Sequence, residues 1–475
     1  ICVLTGLRGC GKTMMFKRLS YELQYQLGPS GIPGEESFIG FYLNARVLAE
    51  AFPWLPENKH QDARRQVLNF FNVKWCIEIL QWLRVCVRNE AHSNVIWLYD
   101  FFAPFFPNNV FTSTDSVGVI NSIIENCQSE LARTKLDSHY DPDGKWRFDD
   151  YAFLSQFLQE ISKHHAFGKG KNIYFFLDDY STPMINSTMQ EILNPVIFRR
   201  TADVYFKVST ESSESFVSTS LNGKILENGA DYKLVDLGSE LFKSNQDKER
   251  IKDIIISIFE KRIARSSIFD HSSLHLVQIL GDNEYNNNEV ALAIRTPNEK
   301  TLYSGLDVFC DLWSSDIREL IKVFSEMLTT EGKDSIERAK AKGFSSIPII
   351  SRKNQDHVLR EAGGRLLASL TATTNPSGTI PKQDGSETYG EHLRDIVIAF
   401  QEIASFDLKN KNSKNQGANP PKQARKIELT STNGTLSELA ADYYKGLIRY
   451  GIFIQDFRAK SVRGTPAQRL YLRGL

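Results

Sequence analysis

The feature that most constrains this chain is a glycine-rich segment, Gly6 to Thr13, set between a short apolar run and a helix-like run. It matches G-x-x-x-x-G-K-[ST] at every fixed position, which is the pattern of a phosphate-binding loop. Glycines let consecutive backbone amides turn inward around an anion, where a Cβ would obstruct them. The segment therefore predicts an α/β fold in which a strand, this loop and a helix open a nucleotide-binding domain.

The positions of this loop have separate predicted tasks. The Lys12 ammonium is expected to reach the β- and γ-phosphates, and the Thr13 hydroxyl to be a ligand for Mg²⁺. The backbone holds the phosphates together with the positive end of the following helix. The residues predicted to contact the nucleotide are Gly6, Leu7, Arg8, Gly9, Cys10, Gly11, Lys12, Thr13 and Met14. ATP or ADP with Mg²⁺ is the expected cofactor.

A second apolar run, Ile173 to Leu177, ends in two carboxylates, Asp178 and Asp179. A continuous hydrophobic strand suits the centre of a parallel sheet, and acids at its carboxyl end lie where open α/β sheets bind ligands. Asp178 is expected to hold Mg²⁺, directly or through water. Asp179 stands where many ATPases place a glutamate that polarises the attacking water, and its shorter side chain predicts slow turnover. A strand that ends in an ordinary polar turn is the alternative.

Three further apolar runs complete a predicted doubly wound parallel sheet of five strands. They are Phe38 to Leu43, Val204 to Val208 and Tyr232 to Leu237. The second of these runs is followed by Ser209 and Thr210, and a polar residue there can hydrogen-bond the lytic water or the γ-phosphate. Thr210, or else Ser209, is the predicted sensor of the γ-phosphate, and a plain strand terminus is the alternative.

The composition bounds the class of protein. The chain has 475 residues, of which 41% are apolar and 24% charged, and its formal net charge is zero. This length predicts two or three globular domains. No apolar run approaches the length of a membrane span. Six scattered cysteines without a CxxC pair favour a cytoplasmic protein with reduced thiols over a zinc site or a disulfide framework. Ile1 already lies in a predicted strand, so residues upstream of it are expected.

On these motifs the chain resembles the AAA+ ATPases of the origin-recognition and Cdc6 group. A further matching segment is Trp313 to Ile321, where Asp316 and Arg318 follow the family's lid pattern G-D-x-R and Ser315 replaces the glycine. The resemblance implies that Arg318 touches the γ-phosphate from the lid, and an ordinary surface arginine on an amphipathic helix is the alternative. It also implies that a helical lid and then a winged-helix domain follow the sheet domain.

The predicted organisation has three parts. They are a nucleotide-binding domain at 1–245 with a helical insertion at about 51–170, a helical lid at 246–343, and a winged-helix-like domain at 344–475 with two flexible loops. In the insertion, apolar residues spaced three and four apart from Val67 to Leu83 predict a helix with one apolar face. In the last part, Thr435 and Glu438 predict a capping box at a helix start, and Gly451 predicts the helix end.

The arginine finger of the family has no obvious counterpart here. Related ATPases carry this trans-acting arginine between the sensor strand and the last sheet strand, but no arginine occurs from Thr201 to Glu249. Arg199 and Arg200, just before the sensor strand, are the candidate substitutes. Charges that stabilise the C-terminus of a helix are the alternative.

The end of the chain is basic. Residues 346–475 contain 19 lysines and arginines against 12 acidic residues, a net +7, so the rest carries −7. The short apolar runs Ile452 to Ile454 and Leu470 to Leu472 flank a polar stretch that is predicted to be a basic loop, the wing. Its Arg458, Lys460 and Arg463 are expected to contact DNA phosphates, so that binding would depend on salt. Winged helices also contact proteins, which is the alternative.

Three functions are compatible with these features. The preferred one is an ATP-binding and ATP-hydrolysing AAA+ protein in which the nucleotide controls assembly and the binding of DNA or a partner protein. The alternative is a nucleotide-gated switch of the STAND type, as in antiphage defence, which acts through protein oligomers instead of DNA. A P-loop kinase is disfavoured by the lid and the winged helix. Self-association or a partner protein is expected, and membrane contact is not.

Overall fold

The structure of the protein is a computed structural model. It describes residues 1–6, 9–27, 38–53, 55, 60–89, 95–107, 113, 115–136, 146–164, 170–182, 184–199, 204–237, 245–269, 274–282, 303–311, 317–344, 348–373, 388–409, 426–429, 437–462 and 465–472. These residues form two compact units, one of residues 1–5 and 11–235 and the other of residues 6–10 and 236–475. The three predicted domain ranges stay predictions.

The first unit is built on a five-stranded sheet. Its strands are β1 (Cys2–Thr5), β2 (Phe38–Asn44), β3 (Asn172–Asp178), β4 (Val204–Ser209) and β5 (Lys233–Asp236). They lie in the order β2-β3-β4-β1-β5, and β2, β3, β4 and β1 pair in parallel. All five predicted strands are therefore present, and the prediction of an α/β fold is confirmed.

Helices cover both faces of this sheet. In chain order they are α1 (Lys12–Arg18), α2 (Tyr21–Leu27), α3 (Arg46–Ala51), α4 (His60–Asn89), α5 (Trp97–Phe102), α6 (Ser116–Leu136), α7 (Phe153–His164) and α8 (Ser187–Ile197). On one face, Phe16 of α1 contacts Phe176 of β3 with ring centroids 5.1 Å apart. On the other face, Trp75 of α4 contacts Phe175 at 4.8 Å. Since neighbouring strand residues point to opposite faces, the sheet is doubly wound.

Helix α4 is buried on more than the one face that its spacing predicted. Besides its contacts with the sheet, it packs along α6. Two asparagines on this side, Asn69 and Asn72, are fully buried. Asn69 Nδ2 donates to Glu130 Oε1 (2.9 Å), and Asn72 Nδ2 donates to the carbonyl oxygen of Phe148 (2.6 Å). The prediction of a single apolar face was wrong, because buried amides that find hydrogen-bond partners replace the polar, solvent-facing side.

The described residues of the second unit form two hydrophobic cores. Its helices are α9 (Asn245–Ile263), α10 (Leu276–Leu280), α11 (Leu306–Asp311), α12 (Ile317–Glu331), α13 (Lys333–Ala341), α14 (Arg352–Leu370), α15 (Tyr389–Lys409) and α16 (Glu438–Arg449). One core includes Phe259 and Phe324, and the other includes Leu393 and Phe453. Helix α14 contributes to both cores, and it carries adjacent glycines at 363 and 364.

The last part of the chain forms a small antiparallel sheet. Strands β6 (Lys426–Leu429), β7 (Phe453–Val462) and β8 (Thr465–Leu472) lie in the order β6-β8-β7. The prediction of a long basic loop was wrong, because Arg458 and Lys460 lie within β7. Arg463 lies outside the described residues. Charged residues are compatible with such a strand, since an antiparallel pair can leave one face to solvent.

Helix α16 begins later than the capping pattern predicted. Its N-cap is Ser437, whose hydroxyl accepts from the backbone N–H of Ala440 (3.3 Å). Glu438 is therefore the first residue of the helix instead of the N3 residue, and Thr435 lies outside the described part of the chain. The predicted helix end is confirmed. Gly451 has a φ of +70°, and its N–H donates to the carbonyl oxygen of Ile448 (3.0 Å).

None of the helices in the described ranges combines the length and apolar character needed to cross a membrane. The six cysteines are free thiols.

Candidate functional site

The predicted phosphate loop connects the end of β1 to the start of α1. Gly9 and Gly11 have φ values of +85° and +98°, a region that side-chain-bearing residues rarely adopt. Lys12 is the first residue of α1 and is only 7% exposed. Thr13 is half-buried, and Met14 is 70% exposed. Leu7 and Arg8 lie outside the described residues.

Helix α1 lies on the sheet face that carries Asp178. Phe176 and Asp178 are two residues apart on β3, so they share the face on which Phe16 packs. At Gly40 of β2 an added Cβ would lie 2.1 Å from the carbonyl oxygen of Leu19, just after α1. The backbone after α1 thus touches the strand itself. The structure brings together the helix with Lys12 and Thr13 and the sheet face with Asp178.

Asp178 is fully buried and accepts hydrogen bonds from two neighbouring strands. The hydroxyl of Tyr42 on β2 donates to Oδ2 (3.0 Å), and the hydroxyl of Ser209 on β4 donates to Oδ1. Burial, and then the nearby charge of Asp178, raise the pKa of the Tyr42 phenol. Tyr42 therefore remains a protonated donor at neutral pH. Each carboxylate oxygen keeps a further lone pair, and carboxylate and hydroxyl oxygens are ligands that suit Mg²⁺.

Asp179 adopts a backbone conformation that is unusual for a residue with a side chain. Its φ is +57°. Its N–H donates to Ser209 Oγ (3.0 Å), and its Oδ2 accepts from Asn44 Nδ2 (3.1 Å). Asn44 pairs in register with Asp178 at the ends of β2 and β3. A rare backbone conformation persists only where its surroundings hold it, and such positions cluster at functional sites. The contacts with Ser209 and Asn44 give Asp179 a defined position beside Asp178.

Of the two candidate sensors, Ser209 and not Thr210 contacts the acidic pair. The hydroxyl of Ser209 contacts both Asp178 and the backbone N–H of Asp179. Thr210 is also fully buried, but its hydroxyl donates to the carbonyl oxygen of Ser212 (3.1 Å). The sensor role of Thr210, with Ser209 as the other candidate, stays a prediction. Successive side chains of a strand alternate between faces, and this places Ser209 on the side of Asp178.

The remaining predicted site residues are three arginines. Arg199 is exposed, two residues after the end of α8, and Arg200 is not described. Arg318 is exposed in the first turn of α12, in the second unit. The segment before it, from Trp313 to Asp316, lies outside the described ranges. The roles of Arg199, Arg200 and Arg318 stay predictions.

Two contacts of the site were missed by the sequence analysis. Tyr42 and Asn44 lie on β2, which was predicted to end at Leu43 and was considered only as a sheet strand. A usable signal was present, because a polar residue directly after an apolar run marks the edge of a parallel sheet where ligands bind. Tyr42 could then have been found from Asn44, because residues two apart on a strand point to the same face of the sheet.

The comparison with protein families agrees with this geometry. A family model described as ORC-CDC6-like matches residues 1–302, which is more than half of the chain. Neither the search of curated proteins nor the search of solved structures returns a match. The matched region contains the phosphate loop, all five strands of the first sheet and the acidic pair. The chain therefore belongs to the ORC-CDC6-like family, a group of AAA+ ATPases.

Proposed function

We propose that this protein binds ATP with Mg²⁺ and hydrolyses it slowly, and that the nucleotide controls its assembly and its binding of DNA or a partner protein. One observation carries the proposal. Helix α1, which begins with Lys12 and Thr13, packs on the sheet face from which the buried carboxylate of Asp178 emerges. A phosphate-binding loop and a metal-binding carboxylate on one face are the two halves of a nucleotide site.

In this proposal the residues of the site have separate tasks. Lys12 binds the phosphates with the backbone of the loop, and Thr13 and Asp178 hold Mg²⁺. The metal, when bound, neutralises charge on the β- and γ-phosphates. Asp179 orients the attacking water and accepts its proton, and Ser209 keeps both acids in place. The residues of the proposed nucleotide site outside this group are Gly6, Leu7, Arg8, Gly9, Cys10, Gly11 and Met14, with Thr210, Arg318, Arg199 and Arg200 in the sensor and finger roles.

The C-terminal part supports a second element of the proposal, a winged helix. Helix α16 is followed by the hairpin of β7 and β8, which is the order of helix and wing in such domains. The net charge of +7 over residues 346–475 favours contact with phosphates. In this proposal Arg458, Lys460 and Arg463 contact the DNA backbone and carry little sequence information.

Nucleotide binding is tested with two substitutions. Lys12→Ala should abolish retention of labelled ATP, because it removes the ammonium that binds the phosphates. Asp178→Ala should keep part of the binding but stop Mg²⁺-dependent hydrolysis. Normal ATP retention by Lys12→Ala would contradict the site assignment.

Assembly is tested by measuring the mass in solution with ADP, with ATP and with ATP plus duplex DNA. A DNA-controlled ATPase should form its larger species on DNA and turn over ATP faster there. ATP-dependent oligomers that ignore DNA would support the STAND-like switch instead.

A further inference from the structure

Tyr42 connects two parts of the proposed nucleotide site. Its hydroxyl donates to Asp178 Oδ2 (3.0 Å), and the ammonium nitrogen of Lys17 lies 5.4 Å from the centroid of its ring. Lys17 belongs to α1, the helix that follows the phosphate loop. One side chain on β2 therefore contacts both the helix after the loop and the carboxylate on β3.

The two carboxylate oxygens of Asp178 are held from opposite sides. The sheet order β2-β3-β4 places β3 between its two neighbours, so the hydroxyl of Tyr42 comes from one side and that of Ser209 from the other. Rotation of the carboxylate about its terminal torsion would break at least one of these bonds. Because this torsion is otherwise broad, two fixed donors define the plane of the group.

We propose that Tyr42 is a positioning residue that orients Asp178 for Mg²⁺, an inference that rests on the proposed function. Its hydrogen bond uses one lone pair of Oδ2 and leaves the other available to a metal ion or a metal-bound water. Hydrogen bonds that orient metal ligands in this way typically change metal affinity about 10–100-fold. In this role Tyr42 acts through Asp178 and is not itself a ligand of the metal.

A tyrosine that merely satisfies a buried carboxylate would behave differently. Its loss would lower the stability of the metal-free protein and leave the Mg²⁺ dependence of nucleotide binding unchanged. The decisive readout is therefore the Mg²⁺ concentration that half-saturates the effect on nucleotide affinity, measured without reference to hydrolysis.

The experiment compares Tyr42→Phe with the wild-type protein. This change removes only the hydroxyl and keeps the ring near Lys17. A fluorescent ATP analogue is titrated in EDTA and at increasing Mg²⁺. We expect Tyr42→Phe to leave the affinity in EDTA unchanged and to raise the half-saturating Mg²⁺ concentration about 10-fold.

Tyr174→Phe is the matched control. Tyr174 lies on β3 two residues before Phe176, so it shares the face of Asp178, and its ring stacks on Phe176 with centroids 6.2 Å apart. The control removes a hydroxyl from the same face and should show the wild-type Mg²⁺ dependence. Ser209→Ala removes the donor from the opposite side of Asp178, and it should raise the half-saturating Mg²⁺ concentration as well.

Two results would overturn the inference. One is a wild-type Mg²⁺ dependence in a folded Tyr42→Phe variant, and the other is an equal change in Tyr174→Phe. If Tyr42→Phe does not fold, an unchanged Mg²⁺ dependence in Ser209→Ala overturns it. Failure of the proposed function is distinguishable, because Lys12→Ala would then bind the analogue as the wild-type protein does.

Discussion

At the scale of single residues, the acidic pair combines two neighbouring aspartates in different environments. Asp178 is fully buried between two hydroxyl donors, whereas Asp179 is half-buried and lies at the end of the strand with a φ of +57°. Asn44 and Ser209 contact Asp179, and each also belongs to a strand beside β3. Two adjacent carboxylates thus have the fixed positions that separate tasks require.

Asp179→Asn should separate binding from hydrolysis. Asparagine keeps the shape of the side chain and tolerates a left-handed backbone, so the fold and ATP affinity should stay close to those of the wild-type protein. It cannot accept the proton of the water, and turnover should fall about 100-fold or more. Steady-state ATPase assays with binding measurements check this. Asp179→Ala is the control for strain, since alanine at this φ should cost about 1 kcal/mol of stability. Wild-type turnover in Asp179→Asn would exclude the water-activating role.

We expect the carboxyl group of Glu78 on α4 to make the free energy of unfolding depend on pH. Burial, and then the negative charge of Glu22, raise the pKa of Glu78 to about 7, although Lys74 opposes the shift. The folded protein holds this proton more tightly than the unfolded chain, so stability decreases as the pH rises from about 4.5 to about 7. Glutamine at this position has no carboxyl group to deprotonate, so Glu78→Gln should not lose stability over this pH range. Its stability advantage over the wild-type protein should grow by about 2 kcal/mol between pH 5 and pH 8.

Chemical denaturation at several pH values measures this effect. Glu50→Gln is the control, because Glu50 is exposed on α3, and its difference from the wild-type protein should not change with pH. A constant difference for Glu78→Gln over the same range would show that the carboxylate is not held in its protonated form.

At the scale of elements, the approach of α1 to β2 depends on Gly40. An added Cβ would lie 2.1 Å from the carbonyl oxygen of Leu19 and 2.6 Å from the ring of Phe176. Since the first of these atoms belongs to the backbone, relief requires a shift of the chain after α1. Gly40→Ala should therefore cost about 1–3 kcal/mol of stability and weaken ATP binding.

Gly364→Ala on α14 is the matched control for this substitution. A Cβ at that position would meet no atom within 4 Å, and the residue is helical. The same chemical change should stabilise the protein by about 0.5–1 kcal/mol and leave ATP binding unchanged. Denaturation curves and analogue titrations of both variants give the comparison. Equal effects of the two changes would contradict the packing argument.

Sequence patterns predicted elements better than they predicted the partners of those elements. The strands were predictable because each is an apolar run bounded by polar residues, as in Ile173 to Leu177. The last residue of β2 could not be predicted to belong to the strand, because Asn44 is polar and extends the strand by pairing with Asp178. The spacing in α4 revealed a helix, but it could not reveal that α6 buries a second side. For the same reason the motif predicted Asp178, whereas the hydroxyl of Tyr42 required the sheet order.

At the scale of the whole molecule, charge is divided unequally along a chain whose formal net charge is zero. Residues 346–475 carry +7 and the remainder −7. In the proposed function, only the basic part attracts DNA, and we expect this attraction to be strongly screened by salt.

Replacing Arg458, Lys460 and Arg463 with glutamine should therefore weaken binding uniformly across DNA sequences. The slope of log affinity against log salt should become shallower by about 1 for each phosphate contact that is lost. Fluorescence anisotropy with duplex DNA at several salt concentrations measures this slope. The control replaces Lys333, Arg338 and Lys340 on α13 with glutamine and removes the same charge elsewhere in the second unit. If the triple variant of Arg458, Lys460 and Arg463 has the same slope as this control, these three residues do not contact the DNA.

The helix α14 has a mechanical consequence for the second unit. It contributes Leu359 and Ala362 to one core and Leu370 to the other, and its glycine pair lies between these contributions. Among the described residues, an added Cβ at Gly364 would meet nothing within 4 Å outside the helix's own backbone. Glycine pairs are sites where helices bend. If the two cores move relative to each other, we therefore expect α14 to bend at its glycine pair while the packing within each core is kept.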